Sequence, residues 1–171
     1  MDDRPGVITM KGHPLTLTGR ELKVGDPASD FEVVDNDLKP FKFSSLKGKI
    51  CILCSVPSLD TPTCDLETRR FNTEAAKLSP EVQVLTISMD LPFAQKRWCG
   101  AAGVDRVKTY SDHREASFGR AYGVLIKELR LLARVVFVVD KAGIIRYIQV
   151  VKELANEPDY EATLAALRQL A

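Results

Sequence analysis

The residues best suited to chemistry are four cysteines, and one of them stands in a distinctive place. Cys64 closes the run Pro57-Ser58-Leu59-Asp60-Thr61-Pro62-Thr63-Cys64, which follows a hydrophobic stretch and opens an amphipathic one. Thr61 has the side chain of a helix N-cap, and Pro62 suits the first helical position. Cys64 then falls at the third helical position, where unpaired backbone N–H groups and the positive end of the helix dipole favour an anion. A sulfur placed there is a candidate nucleophile. The helix terminus does not suffice alone. Ionising a free thiol, which titrates near about 8.5, fully at neutral pH requires roughly 3–4 kcal/mol. A helix terminus supplies ~0.3–1 kcal/mol and rarely ~2. A cation must therefore stand nearby, and Asp60 and Asp65 must point elsewhere. Ionisation by itself accelerates attack only by roughly tens-fold, so fast chemistry also needs donors around the sulfur to hold developing charge. The bland alternative is a small buried hydrophobe on the inner face of a helix.

Cys51 and Cys54 spell C-x-x-C, the spacing of a redox dithiol or half a zinc site. Both lie inside an apolar strand and not at a helix start. Residues three apart on a strand face opposite sides, roughly 10 Å apart, too far for a disulfide. No second C-x-x-C or neighbouring histidine completes a tetrahedral site. They read as core residues, with at least one protected from reagents. Cys99 lies beside Trp98 near the end of a short helical segment and, on composition alone, reads as a core cysteine. His13 and His113 read as solvated loop residues without metal-ligand spacing.

These residues must be held by a chain of 171 residues, long enough for one domain, 1–171, that buries roughly 70% of its unfolded surface without disulfide staples. Two alternating segments at 7–10 and 15–18, split by Lys11-Gly12-His13-Pro14, predict an N-terminal hairpin within residues 1–20. A strand is expected near 31–34. Strands and helices then alternate: a buried strand at 50–56, a helix at 61–78, a strand at 82–88, a helix at 92–99 ended by Gly100 and Gly103, a strand at 107–110 and a helix at 115–122. Cys64, Thr68, Phe71, Ala75 and Leu78 share one face of the first helix. Strands at 134–139 and 144–150 form a hairpin around 140–143. A last helix from Pro158 carries Tyr160, Leu164, Leu167 and Ala171 on one stripe. This order predicts an α/β fold, a thioredoxin-like mixed sheet flanked by helices with an N-terminal hairpin extension.

The 24 Lys and Arg against 23 Asp and Glu give a net charge of +1, which argues against a phosphate-tracking surface and so against nucleic acid. The N-terminal residues lack a signal-peptide pattern, and no apolar run approaches a membrane span. A cytoplasmic protein is expected, in which four cysteines are catalytic, metal-binding or buried, not structural disulfides.

Pro57, Thr61 and Cys64 fit the signature of the peroxiredoxins: a proline, three residues, a threonine or serine, two residues and a cysteine. The chain resembles the atypical two-cysteine, thiol peroxidase group of that family over nearly its whole length. The likeness is carried by the Lys11-Gly12 hairpin, 57–71, Asp90-Leu91-Pro92-Phe93-Ala94-Gln95 through Cys99-Gly100, Ala121-Tyr122-Gly123-Val124, and 134–140. The resemblance implies a peroxidase without metal, haem or flavin. It makes Cys64 the peroxidatic cysteine, oxidised to a sulfenic acid, and Cys99 the resolving cysteine that closes an intrachain disulfide after local unfolding. Thr61 would orient sulfur and peroxide. Arg134, ordinarily a solvated residue at a strand start, would stabilise thiolate and transition state. Pro57 would shield the sulfenic acid. Thioredoxin as reductant, a homodimer, and an apolar groove favouring alkyl hydroperoxides are also implied. Cys51 and Cys54 depart from the family pattern. A non-enzymatic redox sensor would need the same reactive Cys64 and differs in reacting once without turnover. A thiol–disulfide oxidoreductase working through Cys51 and Cys54 would reduce insulin-type disulfides.

Overall fold

The computed structural model describes residues 2–104 and 106–170. Among them, a seven-stranded mixed sheet forms the centre, in the order β11-β10-β5-β6-β7-β3-β4. Its members are β3 (Glu32–Val34), β4 (Pro40–Lys42), β5 (Ile50–Ser55), β6 (Val82–Ser88), β7 (Val107–Ser111), β10 (Val135–Val139) and β11 (Ile145–Val150). A four-stranded sheet combines the N-terminal hairpin, β1 (Asp3–Met10) and β2 (His13–Thr18), with two short strands, β8 (Leu125–Ile126) and β9 (Leu131–Leu132).

β5 is the central element. Every residue of Ile-Cys-Ile-Leu-Cys-Ser is buried, as a strand covered on both faces requires. It runs parallel to β6 and antiparallel to β10. Alternation sends Ile50, Ile52 and Cys54 to one face, with Val84, Val136 and Val138. There α1 (Pro62–Ala75) supplies Phe71 and Ala75, and α4 (Tyr160–Arg168) supplies Leu167. Cys51 and Leu53 point to the other face, with Leu85, Phe137, Phe118 of α3 (Ser117–Ala121) and the hairpin residues Ile8 and Leu17. The helical α2 (Pro92–Ala102) packs against β7.

The expected α/β order is present, with local differences. The first helix ends at Ala75, and 76–78 continue as turns. Gly100 stays helical; only Gly103 adopts the left-handed conformation (φ 68°), and its N–H donates to the Cys99 carbonyl. α4 begins at Tyr160, because Asp159 caps it by accepting from the Ala162 N–H at 3.0 Å. Tyr160, Leu164 and Leu167 do line its inner side, while Ala171 lies outside the described residues. Strands β4, β8 and β9 were not expected. His13 is exposed in β2 and not in a loop, and His113 is half-buried, with Nε2 lacking a partner. Gly123 sits at φ 67°, where a Cβ would strike the Arg20 carbonyl, which explains glycine there. Among the described residues, no helix is long and apolar enough to cross a membrane.

Candidate active site

Parallel pairing brings the loop after β5 (56–61) beside the loop after β6 (89–91), at the strand ends where α/β sheets place their sites. Thr61 is the N-cap of α1: its Oγ accepts from the Cys64 N–H at 3.2 Å and donates to the Ser58 carbonyl at 3.1 Å. Thr61 thus reaches Cys64 through its amide. With Pro62 first in the helix, Cys64 is third, as its spacing predicts. The Cys64 side chain is 0% exposed, packed among Val56, Leu59 and Trp98. Pro57 is buried at the start of the same loop.

The register of β10 supplies the required cation. Val135 pairs with Ser55 and Val136 with Cys54, so Arg134 stands opposite the end of β5 on the face covered by α1. It is 1% exposed. Its Nη1 donates to Cys64 Sγ at 3.2 Å, and Nε and Nη2 donate to the Leu154 carbonyl at 3.2 and 2.9 Å. The solvated reading of this arginine is wrong for a geometric reason: its carbonyl, just before β10, accepts from the Val151 N–H, and its head is claimed by three partners.

The third partner is Glu67, whose Oε2 lies 3.3 Å from Arg134 Nη1 and which is itself 1% exposed. Burial pushes the Glu67 carboxyl up to about 7, against the opposing pull of the Arg134 guanidinium, and its Oε1 has no partner. One guanidinium nitrogen, Nη1, therefore serves both the sulfur and this carboxyl. Sequence reading passed over Glu67. Its signal was the i, i+3 spacing from Cys64, which puts it on the same helix face.

Asp65 does not oppose the sulfur. Its carboxylate accepts from Arg69 Nε at 3.0 Å and from Trp98 Nε1 at 2.8 Å. The Arg69 guanidinium also lies 5.8 Å from the Trp98 ring centre and donates to the Ala102 carbonyl, so α1 clasps α2. Asp60 is exposed.

Cys99 is part-exposed and points another way. Its Sγ lies 3.3 Å from Thr109 Oγ1 and 4.0 Å from Asn36 Nδ2, in a groove of about 380 Å³ that Lys108 and Tyr110 also line. Cys51 and Cys54 are buried on opposite faces of β5. Burial pushes the Cys51 thiol up to about 11 and the Cys54 thiol well above the ordinary range, with Glu67 adding to the latter. Among the described residues, no cluster of three or more candidate metal ligands occurs.

The family model described as Redoxin matches residues 23–164. The chain belongs to the redoxin family. A thiol peroxidase of Oceanobacillus iheyensis is 57% identical over 162 residues, spanning 95% of this chain and 98% of that protein. One from Bacillus subtilis is 56% identical over 163 residues, spanning 95% and 97%. A crystal structure of a peroxiredoxin-like protein from Aquifex aeolicus superposes with a TM-score of 0.91 at 41% identity, covering 98% of this chain and 99% of that one. These relatives place the chain among the thiol peroxidases of the redoxin family, as an enzyme with the thioredoxin-like fold.

Proposed function

We propose that the chain reduces hydrogen peroxide and organic hydroperoxides, with Cys64 as the attacking thiolate. The observation that carries this reading is Arg134 Nη1, 3.2 Å from a sulfur at the N-terminus of a capped helix. The sulfur attacks one peroxide oxygen and the O–O bond breaks. Cys64 becomes a sulfenic acid, and the departing alkoxide or hydroxide takes a proton to leave as alcohol or water. Arg134 stabilises both the thiolate and the charge growing on the leaving oxygen. Thr61 holds the first helical turn and orients the reactants, and Pro57 shields the oxidised sulfur from solvent. The Cys99 thiol then attacks the sulfenic sulfur, expels water and closes the Cys64–Cys99 disulfide. Thioredoxin reduces that disulfide by thiol exchange and takes up the disulfide itself.

The part-exposed position of Cys99 suits a resolving thiol that must be reached by a reductant. We place the enzyme in the cytoplasm, where four free cysteines remain reduced. We also propose a homodimer with an apolar approach for alkyl hydroperoxides, on the family likeness and on the exposed Leu91 and Phe93 beside the site.

Steady-state peroxide consumption with a thioredoxin system tests the reading. Cys64→Ser should abolish turnover. Cys99→Ser should allow one oxidation of Cys64 without turnover. Full turnover in Cys64→Ser refutes the nucleophile; a persistent Cys64 sulfenic acid in the wild type, with no 64–99 bridge by mass spectrometry, refutes the pairing.

A further inference from the structure

Asp90 sits just beyond β6, two residues before α2 begins, and its carboxylate gathers donors from the Cys64 loop. Ser58 Oγ donates to Oδ1 at 2.7 Å, the Leu59 N–H donates to Oδ2 at 2.8 Å, and Ser88 Oγ donates to Oδ2 at 2.7 Å. From Ser58 the links continue toward the sulfur. The Ser58 carbonyl accepts from the Thr61 N–H and hydroxyl, Ser58 Oγ accepts from the Asp60 N–H, and Thr61 Oγ accepts from the Cys64 N–H. In the other direction, Ser88 Oγ accepts from Gln95 Nε2 at 2.9 Å. Gln95 is fully buried in α2, one turn before Cys99. The first turn of the Cys64 helix and the helix that carries Cys99 are thus linked by hydrogen bonds that meet at one carboxylate.

Building on the two-cysteine cycle above, we propose that Asp90 is a positioning residue that acts on the two half-reactions in opposite directions. It fixes the 58–61 turn in the form that caps α1 and presents Cys64 to peroxide. By the same bonds it resists the unwinding of that turn, which must precede attack by Cys99 on the sulfenic sulfur with loss of water. Asparagine at this position keeps one acceptor oxygen and turns an NH₂ group toward a donor, so one arm of the carboxylate becomes repulsive. Three donors on one carboxylate are charge-assisted bonds, roughly twice as strong as neutral ones, so the turn depends heavily on that charge.

The test is stopped-flow fluorescence of Trp98, the chain's single tryptophan, which packs against Cys64. A peroxide-dependent phase reports oxidation, and a following concentration-independent phase reports disulfide closure. Asp90→Asn is expected to slow the first phase tenfold or more and to speed the second threefold or more. Ser58→Ala, which removes one donor and leaves the carboxylate, should shift both in the same opposed sense by smaller factors. It decides the matter if Asp90→Asn does not fold. A merely structural lesion would slow both phases together; that result, or two unchanged phases, overturns the proposal. Cys99→Ser separates the two ideas. If it keeps the first phase and loses the second, the two-cysteine cycle stands whatever Asp90 does. If it keeps both, the cycle falls, and the opposed action of Asp90, which requires that cycle, falls with it.

Discussion

Substituting glutamine for Glu67 should change how the protein's stability responds to pH. In the fold this carboxyl is 1% exposed, shares Arg134 Nη1 with the Cys64 sulfur, and leaves Oε1 without a partner. Burial raises it from 4.5 to about 7 even with the guanidinium alongside. The native state therefore binds the Glu67 proton more tightly than the unfolded chain does. Its contribution is complete below the unfolded value, near pH 4.5, and is lost as pH rises through about 7. A gap of this size corresponds to roughly 3 kcal/mol. Glutamine keeps an acceptor for Arg134 and does not titrate. Urea midpoints of wild type and Glu67→Gln at pH 5 and pH 8 should thus diverge, the variant gaining up to about 3 kcal/mol on wild type between the two values. Asp112, which burial raises to about 6, titrates in both proteins and cancels in the difference. Parallel stability curves over that interval would refute the assignment. They would mean that Glu67 stays ionised at both pH values and that Arg134 is committed to it as a permanent ion pair.

Three other outcomes follow from the same geometry. Arg134→Ala should cut the rate of peroxide reduction by about 10²-fold or more. Because it leaves the buried Glu67 carboxyl and the Leu154 carbonyl without their donor, it should also cost ~1–3 kcal/mol of stability by denaturant unfolding. The double substitution Arg134→Ala/Glu67→Gln should recover much of that stability and none of the rate, which separates the two roles of the guanidinium. Thr61→Ala removes the cap of α1 and should cost about 1 kcal/mol, seen as a melting temperature lower by ~2–4 °C.

The local part of the site was legible in the sequence. Thr61, Pro62 and Cys64 act within one helical turn, and their spacing alone sets the cap and the third helical position. The need for a cation was also derivable, since a helix terminus falls short of the energy to hold a thiolate. Which cation was not derivable from local pattern. Arg134 is 70 residues from Cys64 and meets it only through the β10–β5 register, which periodicity cannot reveal; family likeness supplied it. Glu67 escaped because a carboxylate on an apolar stripe reads as an interruption, and it is buried only because Arg134 is there to meet it. Strands β8 and β9 are two residues each and too short to show alternation. Gly100 was read as a terminator, yet only one residue has to turn left-handed at the end of α2, and Gly103 does it. His113 was read as solvated, but the Asp112 carboxylate accepts from the Phe118 and Gly119 N–H groups and draws that loop inward.

In the proposed two-cysteine cycle, the placement of the two sulfurs requires α2 to move as well as the first turn of α1. Trp98 and Cys99 are adjacent, and about 100° of helical rotation separates their side chains. Trp98 takes the direction of α1, where it covers Cys64 and bonds Asp65; Cys99 takes the direction of β7, where it meets Thr109. While α2 remains helical, the tryptophan occupies the side that the second thiol would need. Reaching Cys64 therefore means giving up the Trp98–Asp65 and Arg69–Ala102 hydrogen bonds and the contact of Arg69 with the ring. At roughly 0.5–1.5 kcal/mol for each such bond, the opening costs a few kcal/mol, small enough to be visited in the reduced protein. The β5–β6–β10 centre gives up nothing in this motion. Hydrogen exchange should accordingly quicken in α2 and in the first turn of α1 once the disulfide has formed, with β5 and β6 as protected as before. Equal protection of α2 in the reduced and oxidised proteins would mean that the two thiols meet by another route, and the clasp would then have no part in setting the rate of closure.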